Sequence, residues 1–151
     1  MAKTTLHFSK RYGIHFIFSS FIVRLIRYEI VTNLDSYPHK VGLKQFVEDM
    51  DRYGWIHIDP VIHCGRFCGD AVSHAEFVEC LNRVRELILS FGPEIADEWK
   101  PKLKIDEDDN VLIPKKVPIS SILYWFDCFR QAVDQYKPNI GVTTFPDAPD
   151  M

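Results

Sequence analysis

The sequence predicts an α+β domain, with three main amphipathic helices packed on a small, mainly antiparallel sheet or hairpin. Apolar residues recur at helical spacing in three stretches of the body. Between those stretches lie two segments of β character, one near Trp55 and one flanking an acidic turn. The resulting order, helix–strand–helix–hairpin–helix, is that of a single α+β unit. At 151 residues and 46% hydrophobic composition, the chain is long enough to bury one real core.

Residues 1–31 form a basic, apolar N-terminal segment. Its centre, Gly13 to Val31, reads "GIHFIFSSFIVRLIRYEIV". Arg24, Arg27 and Glu29 interrupt any membrane-length apolar run, so no membrane span is expected, although residues 13–31 suit contact with a membrane surface. The segment lacks the small residues of a signal cleavage site. Three readings stay open for it: an element packed on the core, a targeting segment, or a start-site artefact ahead of Val31.

The body, 32–137, is read as one α+β domain. Leu43, Phe46, Val47, Met50 and Tyr53 fall on one stripe, which predicts a helix over 43–53 closed by Gly54. Trp55 to Asp59 reads as a strand, ended by Pro60. Ser73-His74-Ala75-Glu76 matches a capping box. Phe77, Leu81, Val84, Ile88 and Phe91 continue it, which predicts a helix over 74–91 stopped by Gly92-Pro93. "KLKIDEDDNVLIP" predicts a hairpin with strands 103–105 and 111–113 and a solvated acidic turn. Ile122, Trp125, Phe126, Phe129, Val133 and Tyr136 predict a last helix over 121–136. Residues 138–151 are a proline-rich C-terminal tail.

The charge is uneven. Residues 1–28 carry five basic residues and no acid, which leaves 13 basic against 21 acidic residues, a net of −8, over 29–151. Nucleic-acid affinity rests on cationic neutralisation of phosphates, so an acidic body speaks against a DNA or RNA partner. Four cysteines are too few for a disulfide scaffold at this length, and reduced thiols in the cytoplasm are expected.

The chemistry concentrates in "HCGRFCGD", His63 to Asp70. A phosphatase loop needs an arginine six residues after its cysteine, and Asp70 occupies that place. A zinc site is the stronger option, because thiolate and imidazole ligands suit the ion; the candidate set is His63, Cys64, Cys68 and His74, with His57 as an alternate. A third option is thiol catalysis, with Cys64 as nucleophile beside a helix start, His63 as base and Asp70 to orient it. Against these stands a plain turn whose thiols pack as small hydrophobes. The acidic run at 106–110 resembles the start of a calcium loop but has Val111 and Val117 where glycine and glutamate are required.

No catalytic spacing is satisfied. The expected function is therefore that of a small acidic soluble protein acting by protein–protein interaction, of the inhibitor, immunity or regulatory-subunit type, with a basic protein partner steered by charge. The alternative is a metal-binding protein or small thiol enzyme using the His/Cys cluster at 57–80.

Overall fold

The computed structural model describes residues 5–7, 14–54, 61–105 and 107–135. Their fold is helical and not α+β. Helices α1 (Ile14–Asn33), α2 (Val41–Asp49), α4 (Ala71–Ser90) and α6 (Ile119–Gln135) carry the architecture, with two short helices, α3 (Cys64–Phe67) and α5 (Trp99–Leu103), between them. The β-structure among the described residues is a single three-residue pair, β1 (Thr5–His7) and β2 (Val61–His63), antiparallel in the register Thr5↔His63. A ribbon of that size is not a sheet on which helices can be layered.

The predicted hairpin is absent, and the physical reason lies in Leu103, which is helical, and in Asp109, which pairs with Arg24. Leu103 ends α5, and residues 109–118 run on without a ladder. Pro114 and Pro118 follow the predicted second strand and, lacking N–H groups, do not extend it. Asp109 does not face solvent in a turn tip, because it is bound to Arg24. Val111 and Ile113 are buried in the helical core with Leu112 exposed between them, the alternation of an extended segment that packs without a ladder. The predicted strand at Trp55 to Asp59 lies outside the described residues.

α4 is the central helix and packs against α1, α2 and α6. Phe77 of α4 sits against Phe46 of α2 and Phe67 of α3, with ring centroids 5.3 and 4.6 Å apart, and reaches Phe129 of α6 at 6.5 Å. Each fully buried aromatic of this kind contributes about 2–3 kcal/mol by leaving water. α1 is apolar around its circumference from Phe21 to Ile26, and those side chains are in the core. Arg24 is the exception. It is buried in mid-helix, with Nε donating to Ser20 Oγ at 3.0 Å and Nη1 to the Leu103 carbonyl at 3.2 Å. Its fork closes on the Asp109 carboxylate, with Nη2 donating to Oδ1 at 2.7 Å. The charge that interrupts the apolar segment in sequence is thus neutralised by a residue 85 positions away.

α4 starts three residues before the predicted boundary. Asp70, with extended backbone, is its N-cap, and Oδ1 accepts from the Ser73 amide at 2.8 Å. Ser73 is therefore already in the first turn, and Glu76 is released from the predicted capping box for another task. At the other end Phe91 turns extended, and its ring packs on Phe21 and Trp99; Gly92 is not left-handed. α2 continues into a π-helical turn, Met50–Gly54, where the sequence predicts a plain helix end.

Candidate functional site

The connector between α1 and α2, residues 34–40, is held from both sides by buried carboxylates. A tight 3-10 turn, Leu34–Ser36, leads into Tyr37. The Tyr37 hydroxyl donates to Glu29 Oε2 of α1 at 2.9 Å, and Asn33 Nδ2 donates to Oε1 at 3.0 Å. On the other side Glu76 of α4 accepts two backbone amides, His39 N–H at 2.8 Å and Lys40 N–H at 2.6 Å. Glu76 caps the start of α2 from a different helix. Charge-assisted bonds of this type contribute about 1.5–3 kcal/mol each.

The clamp fixes a strained junction. Lys40 adopts φ 72°, ψ −22°, a left-handed conformation rare for a side chain with a Cβ. Gly42 then passes so close to α3 that an added Cβ would lie 2.3 Å from the Phe67 carbonyl oxygen. Arg83 closes the outer side, its guanidinium 4.2 Å above the Tyr37 ring and its Nη1 on Ser36 Oγ.

Between connector and α4 lies a cleft of about 480 Å³. Tyr37, Pro38, Ala71, Val72 and Ala75 supply its apolar surface, and Glu79 with Arg83 form the polar edge. Val72 is 57% exposed in the cleft.

Of the sequence-predicted site residues, Cys68, His74 and Asp70 have described side chains. Cys68 is fully buried. His74 is half-buried and its Nε2 bonds the Val133 carbonyl at 2.8 Å, so it ties α4 to α6. Asp70 is spent on the α4 cap, and the Ser73 amide holds its carboxyl below the usual aspartate range. The side chains of His63 and Cys64, and all of His57, lie outside the described residues. Cys80 is buried against Tyr37; burial pushes its thiol well up, and its hydrogen bond with Tyr37 does not offset that. Burial, then the neighbouring Cys80 and Glu29, push the Tyr37 hydroxyl up as well. Among the described residues no group of three His, Cys, Asp or Glu side chains is placed to hold a metal ion, and no helix is long and apolar enough to cross a membrane.

Sequence reasoning missed the roles of Glu29, Tyr37 and Glu76. Glu76 was visible only as a capping-box glutamate, and nothing local indicates that it serves the helix before it. The signal available in sequence was the pair of small residues Ala71 and Ala75 with Val72 on one side of α4, where the core stripe does not run. No family model, curated protein or solved structure matches the chain.

Proposed function

We propose that this protein acts by binding another protein, as a small acidic inhibitor or regulatory subunit in the cytoplasm, and that the cleft between the connector and α4 is the contact. The observation that carries this reading is the apolar cleft itself. Val72 stands exposed in it, and its walls are fixed by the Glu76 and Glu29 clamps. A wall already rigid loses little entropy on binding. Exposed apolar surface with a polar edge is the composition of a binding patch on an otherwise polar surface. The net charge of −8 over residues 29–151 favours a basic partner and speeds its encounter.

The test is capture of the partner by cross-linking in native extract, followed by affinity measurement with the purified pair. Val72→Glu is expected to weaken binding at least about tenfold, or about 1.4 kcal/mol, with the fold intact because the side chain is exposed. Equal affinity of wild type and variant would place the contact elsewhere. Recovery of neither a partner nor a self-assembly would overturn the interaction reading.

A further inference from the structure

α6 ends beside the cleft. His74, at the start of α4, holds the Val133 carbonyl at 2.8 Å, and α6 closes two residues later at Gln135. The chain continues for 16 residues, 136–151, which lie outside the described residues. They leave α6 at a point tied to the same stretch of α4 that gives Ala71, Val72 and Ala75 to the cleft.

The route from that point to the cleft is short. At about 100° per residue round α4 from His74, Ala71 comes at about 60°, Ala75 at about 100° and Val72 at about 160°, whereas the core residue Phe77 lies about 60° the other way. The path therefore crosses two exposed alanines, over which a backbone can lie close. Round a helix of about 10 Å diameter it is roughly 15 Å long. Five extended residues cover that at ~3.3 Å each, so Ile140 reaches Val72.

The tail also has the composition of the surface it would meet. Residues 138–146 read PNIGVTTFP, without a single charge in a chain that is 26% charged. Ile140, Val142 and Phe145 are its apolar residues. Pro138 and Pro146 have no N–H to satisfy, and their fixed backbone loses little entropy on docking. Pro38, Ala71, Val72 and Ala75 are exposed in the cleft. At its edge Arg83 meets Glu79 at 3.5 Å, so an uncharged occupant leaves neither without a counter-charge. Composition alone suits any apolar groove; the tether selects this one. A segment tied so closely is present at an effective concentration in the millimolar range, which populates even a weak contact.

We infer that residues 138–146 occupy the cleft in cis and that a protein partner binds by displacing them. The inference rests on the reading of the cleft as the contact, and adds that the chain's own tail masks it. Masking lowers the partner's apparent affinity by the fraction of chains whose tail is released.

Photo-cross-linking of the full chain with p-benzoylphenylalanine in place of Phe145 tests the docking. Cross-links are expected within one chain, to residues 36–38 or 71–75, and Val72→Glu is expected to remove them. Cross-links that scatter over the surface or join two chains overturn the inference. A second measurement adds a synthetic peptide of residues 138–151 in trans and follows binding by NMR. The full chain carrying Ile140→Ser, Val142→Ser and Phe145→Ser has an open cleft and is expected to bind the peptide at least about tenfold more tightly than wild type. Equal binding to both chains, or binding to neither at millimolar peptide, overturns it. A docked tail with no partner recovered upholds the docking and removes the capture reading. A free tail with Val72→Glu still weakening a captured partner does the reverse.

Discussion

Lys40 and Gly42 show how much structure rests on two backbone positions. Lys40 holds φ 72° although it carries a Cβ, at a cost of about 1 kcal/mol. Glu76 offsets that cost by accepting the Lys40 amide. Gly42 has no such slack, because a methyl group there meets backbone of α3 and not a side-chain end that can swing away. Gly42→Ala is therefore expected to destabilise the fold by about 1–3 kcal/mol. Lys40→Gly is expected to be neutral or stabilising by up to about 1 kcal/mol, since strain relief competes with unfolded-state entropy. Urea unfolding of both variants checks the pair. A tolerated Gly42→Ala would mean that α3 yields, and with it the junction that shapes the cleft.

At the scale of elements, the Arg24–Asp109 pair joins α1 to the segment after α5. Burial pushes the Asp109 carboxyl up, but the Arg24 guanidinium, the Ile105 amide at 3.0 Å and nearby positive charge outweigh it and hold it below the ordinary aspartate value of 3.8. A carboxylate with a depressed folded-state pKa contributes stability that is complete above its unfolded value and lost as pH falls through the folded one. The pair's contribution is thus present at neutral pH and disappears in acid, below 3.8. Asp109→Asn is expected to cost about 1–3 kcal/mol at neutral pH, because Arg24 stays buried with weaker partners. The variant should also lose less stability than wild type on titration below that value. Denaturant midpoints across pH measure both effects. The acid sensitivity that Asp70 and Asp97 contribute, each also held low, should persist in the variant.

The whole molecule is organised around α4. Its apolar stripe from Phe77 to Ile88 is fully buried and touches α1, α2 and α6. α5 is five residues long and packs chiefly on α1. Native-state hydrogen exchange is expected to show the α4 amides from Phe77 to Ile88 opening only with the global free energy. α5 and residues 107–118 should open locally at lower cost. Equal protection of α5 and α4 would contradict that hierarchy.

Local pattern alone located much of this. The helical stripes at 43–53, 74–91 and 121–136 mark α2, α4 and α6, because a helix must place its apolar residues on one face whatever it packs against. The sequence reading made the β-like segments a sheet or hairpin, and the helical fold corrects it, since apolar alternation over so few residues suits a strand or a buried extended connector equally. For the segment around the acidic turn, tertiary structure decided it: Leu103 closes α5, Arg24 needed a carboxylate, and Asp109 supplied one. The candidate site was least legible. The His/Cys cluster drew attention by composition, whereas the cleft depends on Glu29, Tyr37 and Glu76 meeting around one connector. Periodicity reports which face of an element is buried. It carries no information about which distant amide a buried carboxylate accepts, and that choice is made only when the helices come together.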